Sequence, residues 1–189
     1  MKRLKWILPV AAAAALLLTL TTRAGAAGED PRVAHGRYLV TIGGCNDCHT
    51  PFKMGQTGPE PDLSRRLSGH PAALQMPPAP ALPPGPWLVT AAATNTAWAG
   101  PWGVSFTANL TPDAETGLGR WTEQQFVDTL RSGRHLGRGR PILPPMPIPA
   151  TAAMTDEDLK SIYAYLRTIP AVSNRVPDPL PPAASASAR

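Results

Sequence analysis

Two cysteines occur in the 189 residues, Cys45 and Cys48, and His49 follows the second directly. The run Cys45-Asn46-Asp47-Cys48-His49 limits the fold more than any other feature, because two thiols and an imidazole must be brought to one small locus. C-x-x-C-H is the attachment pattern of a c-type haem. Thiols one helical turn apart reach the two vinyl groups of one porphyrin edge, and a histidine behind the second thiol lies under the ring with a nitrogen toward the iron. Cys45 and Cys48 are therefore expected to form two thioethers to one haem c, with His49 as an axial iron ligand. A thioredoxin-like C-x-x-C wants a βαβ surround, which the flanking sequence lacks. Structural zinc needs four ligands, whereas His35, His70 and His135 are scattered singly.

Residues 1–26 are expected to be a secretory signal peptide: Lys2, Arg3 and Lys5 lead into a mostly apolar run from Trp6 to Leu20, and Ala24-Gly25-Ala26 supplies an A-x-A cleavage site. The apolar run is shorter than the roughly 20 residues of a relaxed membrane span, which disfavours an uncleaved anchor. The expected location is the periplasm. Four of the eighteen Lys and Arg residues lie in this leader and none of the thirteen acids does, leaving fourteen basic against thirteen acidic residues. A nucleic-acid partner is thereby disfavoured, since phosphate binding calls for a retained basic surplus. Arg131, Arg134, Arg138 and Arg140 make a local basic stretch that reads as a solvated face or a propionate or partner contact rather than a nucleic-acid site.

Three helices can be placed from their caps. Asp30-Pro31 reads as N-cap and first helical residue of a helix running to about Ile42, and Gly43-Gly44 breaks it just before Cys45. Gly36 weakens that helix and marks a place where another element comes close. Thr122 with Gln125 forms a capping box, Trp121 and Phe126 take the staple positions, and Gly133 stops the second helix. The third starts at Thr155 with Asp156, Glu157 and Asp158 in its first turn, continues through Leu159, Ile162, Tyr163 and Leu166, and ends by Arg167 and Pro170. From Pro51 to Gly119 the chain is rich in Pro and Gly, and Met76 to Pro86 reads as polyproline-like surface chain. Strand-like runs at Trp87–Ala92 and Val104–Leu110 are expected to pair. Beyond Pro170 the Pro- and Ala-rich tail, 171–189, is expected to be extended and partly disordered.

A second axial ligand must come from a loop able to cross the far face of the ring. Met146, flanked by Pro144, Pro145, Pro147 and Pro149 just before the last helix, is expected to supply it as a thioether. Met76, His70 and His135 stay open as alternatives, while Met154 sits at a staple position and Met54 lies too near His49 to reach the opposite face. Arg138, Arg140 and Trp121 are candidate partners of a haem propionate.

These blocks together resemble the class I cytochrome c fold, and more closely the bacterial cytochrome c domains that accompany periplasmic dehydrogenases. The resemblance is carried by Gly36-Arg37-Tyr38-Leu39-Val40, Asn109-Leu110-Thr111-Pro112-Asp113, Thr116-Gly117-Leu118-Gly119-Arg120-Trp121, Leu130-Arg131-Ser132-Gly133, Pro145-Met146-Pro147, and Asp156-Glu157-Asp158 with Ala164-Tyr165-Leu166-Arg167. It implies a mainly α fold over residues 27–170, with three or more helices around one haem and an irregular Pro-rich insertion at about 53–108. It also implies Met146 as second ligand and a crossing of the first and third helices near Gly36 and Tyr165. With both axial positions filled, the expected role is a carrier of single electrons, not an enzyme. Its partners would be a donor dehydrogenase or reductase and an acceptor oxidase or cytochrome. A haem enzyme or gas sensor with an open sixth site is the alternative, as is a cytochrome subunit held tightly in a dehydrogenase complex.

Overall fold

The computed structural model describes residues 28–80, 82 and 85–182. The expected leader over 1–26 and the last seven residues of the tail lie outside the described residues. Helix α1 (Pro31–Ile42) opens with the Asp30 carboxylate accepting from the Arg32 amide at 2.8 Å, and Gly43 closes it. Gly44, at φ +65°, reverses the chain into the short α2 (Cys45–His49). Helix α3 (Glu123–Ser132) carries the reciprocal Thr122–Gln125 capping box and ends on Gly133 in the left-handed conformation. A five-residue α4 (Ile148–Ala152) precedes α5 (Asp156–Leu166), where Thr155 and Asp158 form a second capping box.

Helices α1 and α5 cross at Gly36. A Cβ there would stand 1.8 Å from the Ser161 carbonyl oxygen and 2.9 Å from Tyr165 Cβ, so only glycine permits the approach. Helix α3 packs against α5, and the three helices bury Leu39, Val40, Phe126, Val127, Leu130, Leu159, Ile162, Tyr165 and Leu166 in one core. Each such side chain contributes about 1.5–3 kcal/mol by leaving water. The Arg131–Asp156 ion pair and the His35–Asp158 hydrogen bond lie outside this core, where partial exposure leaves them little weight.

Two small antiparallel sheets accompany the helices: β1 (Phe52–Met54) with β2 (Pro59–Pro61), and β3 (Thr90–Ala91), β4 (Ala97–Gly100) and β5 (Gly103–Phe106) in that order. The two strand-like runs do not pair with each other, contrary to expectation. Strand β4, which lies between them in the chain, pairs with both, because Ala92–Asn95 and Gly100–Gly103 each turn tightly. The expected irregular region therefore divides. Residues 65–70 enter the core, with Leu67, Ser68 and His70 fully buried, whereas Trp87 and Leu88 are 77 % and 63 % exposed.

The described part of the tail is tied to the rest of the chain. Val104 and Leu180 exchange two backbone hydrogen bonds of 2.9 Å, adding a bridge to the outer edge of β5. Asn174 is buried and fully engaged. Its amide donates to the Ser68 and His70 carbonyls at 2.7 and 2.8 Å, and its oxygen accepts from Arg65 Nη2 and the Ala72 amide. Asn109 reaches back, donating to the Val172 carbonyl at 2.8 Å. A Pro-rich chain has few amides to offer, and one asparagine side chain supplies much of the missing hydrogen bonding. Among the described residues no helix is long and apolar enough to cross a membrane.

Candidate functional site

The Gly43-Gly44 break and the left-handed Gly44 put Cys45, Cys48 and His49 on one helical turn at the end of α1. Both cysteines are free thiols and partly buried. Burial pushes both thiol pKa values up, and the nearby Asp47 carboxylate adds to the rise. They are held as protonated thiols.

His49 is buried, and its Nδ1 lies 2.8 Å from the Ala108 carbonyl oxygen. A carbonyl accepts only, so Nδ1 carries the hydrogen and Nε2 keeps its lone pair. Burial pushes the imidazole pKa down, opposed by the Ala108 hydrogen bond, so the ring is neutral at neutral pH. A neutral imidazole fixed through one nitrogen by a carbonyl is the usual arrangement of a metal-ligating histidine. The residues thus fit a covalently held haem by their donor set: two unoxidised thiols on one turn and a histidine with one nitrogen anchored and the other free.

Cys45 and Met146 pack against the same buried core. The Met146 loop is fixed to the second sheet, where Ser105 Oγ donates to the Pro144 carbonyl at 2.5 Å. The rival ligands are placed differently. His70 has no exposed surface, and both its nitrogens are engaged, Nδ1 with the Thr96 hydroxyl at 2.9 Å and Nε2 with the Leu74 carbonyl at 3.2 Å. It is a core histidine. His135 is exposed with its ring edge-on to Trp121, and Met54 is 74 % exposed. Met76 lies in the Pro-rich run, outside the core to which Met146 belongs.

Several residues that secure the motif escaped the sequence reading. Asn46 Oδ1 accepts from Arg66 Nε at 2.9 Å, and the Asp47 carbonyl accepts from Asn95 Nδ2 at 2.7 Å. The Gly69 amide donates to the His49 carbonyl at 2.8 Å, and the Leu67 amide to Thr50 Oγ1 at 3.0 Å. All four partners come from the irregular region, which therefore grips the C-x-x-C-H turn. Asn95 and Leu67 hold positive φ angles of 55° and 58°. The Asn in Thr94-Asn95-Thr96 was a readable turn signal. A left-handed Leu67 was not.

No family model matches the chain. It is 29 % identical over 143 residues to the fructose dehydrogenase cytochrome subunit of Gluconobacter japonicus, covering 76 % of this chain and 22 % of that protein. It is 30 % identical over 137 residues to the gluconate 2-dehydrogenase cytochrome c subunit of Pantoea cypripedii, covering 72 % and 23 %. Against the cytochrome c subunit of alcohol dehydrogenase (quinone) of Gluconobacter oxydans (strain 621H), identity is 35 % over 82 residues, covering 41 % and 17 %. The chain thus spans less than a quarter of the length of each of these relatives, and in sequence it is cytochrome c-like.

Proposed function

We propose that this chain is a periplasmic c-type cytochrome that carries single electrons between a donor dehydrogenase or reductase and an acceptor cytochrome or oxidase. The observation that carries the reading is His49, buried on the Cys45–His49 turn with Nδ1 committed to the Ala108 carbonyl and Nε2 left free. One haem, when bound, supplies a one-electron redox centre. Cys45 and Cys48 would hold it by two thioethers, and His49 and Met146 would bind its iron. The chain's own work is positional. Ala108 sets the tautomer and angle of His49, Ser105 anchors the loop of Met146, and the core beside Cys45 and Met146 keeps water away. The fold reading is a class I cytochrome c domain with one haem, and residues 1–26 are its leader.

The similarity to dehydrogenase subunits favours a second reading, in which the chain stays bound to a dehydrogenase rather than shuttling. Expression with a periplasmic haem-attachment system tests the main proposal. One haem per chain should resist acid–acetone extraction, and Cys48→Ala should leave at most one thioether and far less loaded protein. Freely extractable haem, or none, sinks it. Copurification of a dehydrogenase from the native host separates the bound subunit from the shuttle.

A further inference from the structure

Strand β5 and the residue pair after it run between the two ends of the proposed site. Ser105 Oγ holds the Pro144 carbonyl of the Met146 loop, and three residues on, the Ala108 carbonyl holds His49. Ser105 is the register partner of Trp98 on β4, and opposed residues of an antiparallel pair share a face. Gly100, two residues beyond Trp98, points to that face too, and a Cβ there would strike the Trp102 ring at 2.6 Å. Trp98 and Trp102 therefore lie side by side on the face that meets the Met146 loop.

Among the described residues, Trp98 Nε1, Trp102 Nε1 and Thr107 Oγ1 are buried with no hydrogen-bond partner. They are three of five such side-chain atoms, and all three belong to one hairpin and its continuation. Buried polar groups are nearly always satisfied, so three orphans in one hairpin and its continuation mark a missing partner. An indole N–H donates only, and a hydroxyl can donate, which calls for an acceptor-rich group. Of the candidates named from sequence, Arg138 and Arg140 are exposed, and Trp121 packs against the helical core and edge-on to His135.

We infer that this hairpin face is a carboxylate-binding edge, in which Trp98, Trp102 and Thr107 donate hydrogen bonds to a propionate of the haem. The inference builds on the function proposed above. The carboxylates of a haem c lie on a different rim from the two groups that bond to cysteine, so a separate part of the chain must receive them. Donors aimed at an ionised carboxylate favour its charged form and lower its pKa.

The test uses the covalently loaded protein with its propionate carboxyls labelled with 13C. In the wild type, one carboxyl resonance should titrate below the ordinary carboxylate range of about 4. Trp98→Phe, Trp102→Phe and Thr107→Val should move that midpoint up, by about one pH unit in the triple variant, and the pH profile of the reduction potential should shift with it. A wild-type midpoint in the ordinary range overturns the inference without any variant, as does a triple variant whose titration overlays the wild type. Absence of covalent haem would instead overturn the function on which the inference stands.

Discussion

Gly36→Ala tests the helix crossing on which the fold depends. The added methyl would sit 1.8 Å from the Ser161 carbonyl oxygen, a backbone atom in the middle of α5 that cannot swing aside. Reaching even 3.0 Å requires α1 and α5 to part by about 1.2 Å. A gap of 0.5–1 Å forfeits a quarter to a half of each dispersion contact, worth about 1 kcal/mol for each large side chain that faces the crossing. Val40, Leu159, Ile162 and Leu166 are among the side chains of α1 and α5 buried in the shared core, and four such losses come to about 4 kcal/mol. Alanine's better helix propensity returns about 1 kcal/mol. The net destabilisation is about 3 kcal/mol, or a fall in Tm of about 6–12 °C for a chain of this size. Thermal melts followed by far-ultraviolet circular dichroism would read it. Gly28→Ala is the control, since nothing lies within 4 Å of a Cβ there. A Gly36→Ala protein melting at or above the wild-type temperature would refute the close crossing.

Asn174→Ala strips partners from the Ser68 and His70 carbonyls and the Ala72 amide, and should cost about 3 kcal/mol in denaturant titrations. Burial holds the His70 pKa below the ordinary imidazole range, among the uncharged Thr96, Leu74 carbonyl and Phe106. The unfolded chain then binds more protons, so stability should be full above about pH 6.5 and fall as pH drops below it. His70→Gln should flatten that part of the slope, and an unchanged slope would argue against a buried neutral ring. Under the proposed ligation, Met146→His should lower the reduction potential by on the order of 100 mV, within the span of about 0.8 V that axial ligands control. Met146→Ala should let the reduced protein bind carbon monoxide, and a wild type that already binds it rapidly would count against Met146.

Helix ends were readable because caps are local chemistry: Asp30-Pro31, Thr122 with Gln125, and Gly133 act within four residues of themselves, and the structure has them in those roles. Gly36 was readable as a close approach, although the atoms it meets, at Ser161 and Tyr165, lie more than a hundred residues away. The site divides along the same line. Cys45, Cys48 and His49 stand together in sequence, whereas the grip on them comes from Arg66, Leu67, Gly69, Asn95 and Ala108. Ala108 acts through its backbone carbonyl, which leaves no residue-type signature. In the tail, Pro and Ala composition speaks only for an extended chain, while one asparagine decides how that chain is tied down.

That tie also sets an order of events in time. A chain is made from its N-terminus, and Asn174 stands 125 residues after His49 (174 − 49). At about 5–20 residues per second, the thiols of Cys45 and Cys48 exist for roughly 6–25 s before the residue that fastens segment 65–72 beside them. During that interval Arg65, Ser68, His70 and Ala72 lack their C-terminal partner. The protein's last stretch thus works as a latch on segment 65–72, one that can close only after the C-x-x-C-H turn beside it has been made.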